Sequence, residues 1–429
     1  MSKLDDRPVL IIGGGPGGYS CALELRKRFS EQKIILVEKN KLGGACLHVG
    51  CIPSKQLHSI KDLADYPKLI KKNKTILERA IASELKAADI EVIIAEAQVS
   101  EAGVQVNGEQ LDYSHLIIAT GSKPRTLEQF PDALTSDSFF SEENLNRLFG
   151  AEKQSQKSPD ARLARVREDV PKLAVANEGE HNAADGASGV VSKYCFIGGG
   201  YIGLELASML AHHGKQVRVI EMMDEILPFL DQDIHPKIMQ ALKSQKIKIE
   251  TGVKDLSSIE LEEGEQVFVS IGREAMSHEL PAMSYIIGDA SNEVTLAHYA
   301  YAQAKQLAAK LAAEDYQLDK NKVPLVVFTH PELASIGLTE KAARELHGDK
   351  VETKIINWAS NGKARVSGYD RGMTKWVLAD NKVLGCHVIG QNATDLISIV
   401  VPIINMNPSV SEMRTWIYPH PTLGEIFAL

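Results

Sequence analysis

The segment GGACLHVGCIPSK holds two cysteines, Cys46 and Cys51, separated by four residues. A helix beginning near Cys51 would set its positive end beside that thiol and lower its pKa. Pairing with the other thiol would then give a reversible dithiol/disulfide couple. A zinc site is a competing reading, but it needs further thiolate or imidazole ligands at regular spacing. His48 and His58 stand nearby, yet no C-x-x-C pair accompanies them, and no metal is expected. Two unrelated buried cysteines are the plainest alternative; the flanking glycines and the Ile52-Pro53-Ser54-Lys55 ending speak against it. Five cysteines in 429 residues is an odd and sparse set. A disulfide framework is therefore not expected, and a reducing compartment is.

The elements that must position this pair are legible on either side of it. Pro8 to Gly14 is a short apolar run ending in glycines, followed by a helical pattern from Gly18 to about Phe29 and a second apolar run, KIILVEK. That is strand, glycine turn, helix, strand. Gly13, Gly15 and Gly18 fit G-x-G-x-x-G, in which the glycines allow the tight turn, the close approach of a pyrophosphate and close helix packing. The pyrophosphate would sit on the free N–H groups of the helix N-terminus. Glu38 lies 20 residues past Gly18, where a carboxylate can accept from a ribose.

The same grammar returns about 185 residues later. Gly198, Gly200 and Gly203 repeat the glycine pattern, and Glu221 ends the following VRVIE run. A carboxylate there suits a free 2′-hydroxyl and repels a 2′-phosphate, so NAD is expected over NADP. Two such sites in one chain imply a flavin dinucleotide and a nicotinamide dinucleotide, an electron-transfer arrangement.

Hydrophobic residues make up 44% and charged residues 24%, with a net charge of −8. The acidic balance argues against nucleic acid as a partner. No run approaches the ~18–20 apolar residues of a membrane span, and the start reads as no secretory signal, so a cytoplasmic location is expected. Residues 151–187, rich in Glu, Lys, Ala, Asn and Ser, read as a surface insertion, with a solvated helix and loop as the alternative. From about Val323 the strand-like segments VPLVVFTHPELASIGL, TKWVLAD and KVLGCHVIG, with a helical pattern around Ala393 to Ile404, indicate an α+β domain with an antiparallel sheet.

With these residues in view, the chain resembles the class I pyridine nucleotide-disulfide oxidoreductases, and among them is most similar to the dihydrolipoamide dehydrogenase branch, whose usual segment is GGTCLNVGCIPSK. Further marks follow in order. Ala119-Thr120-Gly121-Ser122 resembles the ATG segment that rejoins the flavin domain. Gly288-Asp289 resembles the second flavin motif, and Leu296-Ala297-His298 the stretch along the flavin. Thr329-His330-Pro331-Glu332 resembles the opening of the interface domain, and His420-Pro421-Thr422-Leu423-Gly424-Glu425 the C-terminal HPT-x-x-E motif.

The resemblance implies an α/β fold with two Rossmann-like dinucleotide-binding domains and an α+β C-terminal dimerisation domain. Its expected parts are an FAD-binding domain over residues 1–125 and 284–318, an NAD-binding domain over 126–283, and an interface domain over 319–429. It implies that Cys51 lies against the flavin and that Cys46 exchanges with the dithiol substrate. His420 would be the base, oriented by Glu425 and supplied by the partner subunit of a homodimer. Lys55 would set a positive charge beside the flavin with Glu205 as its partner, and Tyr201 would cover the flavin until the nicotinamide arrives. Thr120, Gly121, Gly288, Asp289 and Ala297 would join the first glycine motif around FAD. Gly272, in Ile271-Gly272-Arg273, would join the second around NAD.

The chain also departs from the pattern. Thr251 to Asp289 is much shorter than usual, Lys55 to about Ile90 is shortened, and Glu274-Ala275 replaces the Pro-Asn that normally follows Arg273. The expected substrate is a small dithiol or a lipoyl-carrier protein, within a 2-oxo acid dehydrogenase or glycine-cleavage complex. The alternatives are an NAD(P)H-dependent disulfide, quinone or metal reductase, and a flavoprotein with a degraded nicotinamide domain serving as a binding subunit.

Overall fold

The computed structural model describes residues 6–149, 191–276, 280–281 and 284–429. The insertion expected at 151–187 lies outside the described residues. The helices that matter here are α1 (Pro16–Arg28), α2 (Gly44–His48), α3 (Cys51–Ser59), α4 (Tyr66–Ala87), α5 (Ser136–Phe139), α6 (Glu142–Phe149), α7 (Tyr201–His212), α8 (His235–Ser244) and α9 (Ala297–Leu311).

The first sheet is parallel, with strands ordered Ser284–Ile286, His115–Ile118, Val9–Ile12, Ile34–Glu38 and Glu91–Ile94. Its three central strands are continuous apolar runs, and each lies buried on both faces, as a parallel strand must. One face packs on α1 and α9 through Leu25, Leu36, Ile117 and Leu307. The other is covered by the meander Ala97–Ser100, Gly103–Val106 and Glu109–Leu111, whose Val104 and Val106 reach Leu10 and Val37. The edge strand Ser284–Ile286 comes from far along the chain, so the polypeptide leaves this sheet and returns to it.

The second sheet is also parallel: Lys248–Glu250, Gln216–Ile220, Lys193–Ile197 and Glu265–Val269. It reproduces the first unit's core, strand, glycine turn, helix, strand. The shortened stretch explains its size: only a single 3₁₀ turn, Leu256–Ser258, lies between the strands Lys248–Glu250 and Glu265–Val269. The short antiparallel pair Ser122–Pro124 and Arg273–Ala275 joins the two units.

The C-terminal sheet is antiparallel, ordered Leu325–Val327, Glu332–Gly337, Lys382–Gly390, Met373–Ala379 and Glu352–Asn357. The α/β class with an α+β C-terminal unit is thus present as expected. The helical pattern of Ala393 to Ile404 is broken, however, into Ala393–Leu396, a 3₁₀ turn and Val400–Met406. Pro402 explains the break in part, since a proline tolerates only the first turn of a helix. Glu352–Asn357 had no sequence signal: it is an edge strand, largely exposed, so its residues need not alternate.

A buried ion cluster ties the second unit to this sheet. Lys375, fully buried, donates to Asp231 (2.7 Å), Asp233 (2.6 Å) and Glu340 (2.6 Å). Asp231, equally buried, also accepts from the Glu340 backbone N–H at 2.8 Å. Removing one partner of such a cluster strands a charge in the interior. Lys375→Met should therefore lower the free energy of unfolding by about 3–5 kcal/mol, read as a fall in the urea midpoint against the parent.

Candidate active site

Each dinucleotide turn is built the same way. After Val9–Ile12 the chain turns at Gly13 (φ 104°), and a Cβ on Gly18 would stand 1.8 Å from the Gly13 carbonyl oxygen. Helix and strand can approach this closely only without side chains. Glu38 fixes the turn from the next strand, accepting from Gly14 N–H at 2.7 Å and Asn40 N–H at 2.9 Å. In the second unit Glu221, just past its strand, accepts from Gly199 N–H at 2.6 Å and Met223 N–H at 2.8 Å. Both carboxylates keep lone pairs for a ribose. Arg218 points its charge elsewhere, into a bidentate pair with Glu265 at 2.8 and 2.6 Å, so it does not meet a 2′-phosphate.

The positive ends of α1 and α7 are unclaimed. Neither helix has an acidic residue in its first turn or a side-chain cap. A Cβ on Gly200 would meet nothing within 4 Å, and one on Gly15 only Gly44 Cα at 3.7 Å. Open space over free N–H groups is what a pyrophosphate requires, so the residues present fit both dinucleotides.

The remaining flavin-side expectations converge on α1. Gly13 abuts the Ala119 carbonyl, which places Thr120 and Gly121 beside the turn. Ile287 approaches Gly17, which places Gly288 and Asp289 on the same helix end. Asp289 accepts from Ser122 Oγ at 2.6 Å, and Ala297 opens α9. On the nicotinamide side, Ser270 Oγ donates to the Gly198 carbonyl at 2.8 Å, and Gly272 follows two residues later with no neighbour where its Cβ would be. Tyr201 spans the two sides: its hydroxyl donates to the Thr295 carbonyl at 3.4 Å, two residues before Ala297.

The cysteine pair occupies the junction. Cys46 lies in α2, half-buried, and Cys51 opens α3, exposed. The hydrogen bond from the Cys46 thiol, the largest influence, and the Lys55 ammonium pull Cys51 down to about 7 against burial, which pushes it up. The same bond, helped by burial, holds the proton on Cys46. Lys55, one turn along α3, donates to Glu205 of α7 at 2.8 Å. Cys21, Cys195 and Cys386 are buried, and burial raises all three thiols. His48 bonds the Leu42 carbonyl and His58 stacks on His330, and among the described residues no group of three or more His, Cys, Asp or Glu side chains could hold a metal ion.

The last expected residues meet each other but not the cysteines. His420 Nδ1 lies 2.9 Å from Glu425 Oε1, and Glu425 also accepts from the Thr422 N–H at 2.9 Å. The His420 side chain is 75% exposed, and within one chain it makes no hydrogen bond to Cys46 or Cys51. The same C-terminal unit also exposes the apolar side chains of Met406, Trp416 and Ile417.

Several residues escaped the sequence. Arg273 pairs with Asp137 (2.7 Å) and donates to the Ser122 carbonyl and Oγ, locking the joint between units. Gln303 accepts from Gly288 N–H at 2.7 Å. Tyr19 and Tyr301 share a 2.6 Å hydrogen bond between α1 and α9. These are contacts between residues distant in the chain.

Comparison with known proteins agrees with this geometry. Residues 7–284 match the family described as pyridine nucleotide-disulphide oxidoreductase, and residues 323–429 match its dimerisation domain. The chain belongs to the pyridine nucleotide-disulphide oxidoreductases, enzymes that work with FAD and NAD. A dihydrolipoyl dehydrogenase of Mycoplasma genitalium is 27% identical, over 98% of this chain and 97% of that relative; one of Bacillus subtilis is 29% identical, over 97% and 94%. Among solved structures, LpdA of Mycobacterium tuberculosis superposes with a TM-score of 0.80 at 17% identity, covering 97% of each chain. The HOCl-induced flavoprotein disulfide reductase RclA of Escherichia coli, as its Cu(II) complex, gives 0.78 at 20% identity, covering 97% and 98%. The chain is thus a flavoprotein disulfide oxidoreductase with a dimerisation domain. No helix among the described residues is long and apolar enough to cross a membrane.

Two predictions follow from the geometry. In the reduced protein, alkylation of Cys51 by iodoacetamide should rise through about pH 7 as its thiolate forms. Lys55→Met should move that midpoint upward, toward the ordinary 9.0, measured by peptide mass spectrometry. Gly200→Val fills the open space over α7 without meeting protein atoms. It should leave the flavin bound and raise the NADH dissociation constant by roughly tenfold or more, about 1.4 kcal/mol, by fluorescence titration.

Proposed function

We propose that this chain oxidises a dithiol, namely the dihydrolipoyl group, and passes the electron pair to NAD⁺. The observation that carries the reading is the Cys51 thiol, brought to about 7 at the meeting point of two dinucleotide turns. The full-length similarity to dihydrolipoyl dehydrogenases supports the choice of substrate. The parts proposed earlier, with FAD on residues 1–125 and 284–318, NAD on 126–283 and the interface on 319–429, are the frame for it.

The oxidised form carries a Cys46–Cys51 disulfide. A substrate thiolate attacks Cys46 Sγ, the disulfide breaks, and Cys51 leaves as a thiolate held by Lys55. The second substrate thiolate attacks the mixed disulfide, forming the cyclic product and releasing Cys46 as a thiol. His420 takes the proton of the first substrate thiol and ends as imidazolium, the proton of the second passes to the departing Cys46, and Glu425 holds the ring at Nδ1 so that Nε2 faces the substrate. Because that dyad is exposed and separate from the cysteines of its own chain, it serves the site of the partner in a homodimer. Bound FAD supplies the two-electron acceptor beside Cys51, and NAD⁺ the final hydride acceptor. The carrier would be a lipoyl domain of a 2-oxo acid dehydrogenase or glycine-cleavage complex in the cytoplasm.

A steady-state assay decides between this and a related reductase. Robust NAD⁺ reduction with dihydrolipoamide is the expected result. Activity only with glutathione disulfide and NADPH, or only with quinone or Cu(II) as acceptor, would overturn it. His420→Gln should cut the dithiol-driven rate by about 10²–10⁴ while NADH still bleaches the flavin in an anaerobic titration. A flavin that stays oxidised there, in the parent protein, would make the chain a binding subunit instead.

A further inference from the structure

The ion pair between Lys55 and Glu205 has a third member. The Lys55 Nζ sits 4.2 Å from the centroid of the Phe328 ring. The backbone N–H of the same Phe328 donates to Glu205 Oε1 at 2.9 Å, while Lys55 donates to Glu205 Oε2 at 2.8 Å. One residue therefore touches both ions, with its π face on the cation and its amide on the anion. Phe328 is itself fixed. It follows the buried strand end Val327 and precedes Thr329, fully buried, whose hydroxyl donates to the Pro331 carbonyl at 2.7 Å. The next N–H, of His330, donates to Ser208 Oγ of α7 at 2.9 Å.

We infer that Phe328 is a positioning residue for the Lys55 ammonium, and through it for the Cys51 thiolate; this rests on the proposed role of Cys51. A lysine stem has four rotatable bonds, and the Lys55 side chain is about one-third exposed. A carboxylate alone would let the ammonium swing about its single contact. The aromatic face removes that freedom, because a cation over a ring centroid is attracted from a second direction. The ammonium is then held on the Cys51 side of α3, where its charge stabilises the thiolate. The other titratable groups facing this cluster are Cys46 from α2, His58 from α3, Tyr201 from α7, Tyr301 from α9, and His330 and Glu332 from the C-terminal unit. His58 stands edge-to-face with the Phe328 ring at a centroid distance of 5.9 Å.

The test uses the FAD-loaded Cys46→Ser protein, in which Cys51 is the remaining thiol of the pair. Its long-wavelength thiolate–flavin charge-transfer absorbance is followed against pH, alongside Phe328→Leu and Phe328→Tyr in the same background. Phe328→Leu should raise the midpoint by about 0.5 pH unit, roughly threefold in the thiol–thiolate equilibrium. Phe328→Tyr, which keeps the ring face, should leave it in place. Equal midpoints for the parent and Phe328→Leu, or equal shifts for Leu and Tyr, would overturn the inference. Phe328→Met replaces Leu if that variant does not fold. If the parent shows no charge-transfer band, the flavin-side placement of Cys51 fails; the same series is then read by the pH midpoint of Cys51 alkylation, where the Leu shift and the Tyr rescue still decide the role of Phe328.

Discussion

The Glu205 carboxylate is where the three units of the chain meet. Its oxygens receive the Lys55 ammonium from the redox helix and the Phe328 amide from the start of the C-terminal sheet, and its own helix opens at the second glycine turn. Only about a tenth of its side chain is exposed, so its charge must be matched. Satisfying one carboxylate thus sets the angle of α3, the lie of α7 and the entry of the antiparallel sheet at once. The placement of Cys51 follows from that angle, since it begins the helix on which Lys55 stands one turn later.

Chemistry and architecture were unequally legible in the amino-acid sequence. The glycine turns, the acids that brace them and the two cysteines follow from local rules. A strand, a turn with φ near +104° and a helix need only their own residues to be recognised. Lys55 with Glu205, 150 residues apart, came from family resemblance and not from spacing. Phe328 escaped because half of what it does is done by a backbone N–H, which every residue but proline has. Arg273 escaped for a related reason: its partners Asp137 and Ser122 lie across a joint between units. The edge strand Glu352–Asn357 carries no pattern because water, not a core, faces most of it.

The second unit keeps a complete glycine-turn frame on a short connection. The four parallel strands that carry the turn, Glu221 and Ser270 are in place, and the short connection runs between strand ends. Val253, Leu256 and Ile259 of the short connection still pack on Ile220 and Val267. The sheet is covered, and the positive end of α7 is left open.

The buried cluster around Lys375 bears on motion. Four charged groups from the second unit and the C-terminal unit are knotted around a Lys375 ammonium that is itself fully buried. A hinge at that boundary would have to pull an ammonium away from three carboxylates, so these bonds oppose any opening between the second unit and the C-terminal sheet. The Tyr201 hydroxyl is held by contacts of 3.4 Å, among the longest in the site. Tyr201 is thus a loosely held side chain in an otherwise tightly bonded junction.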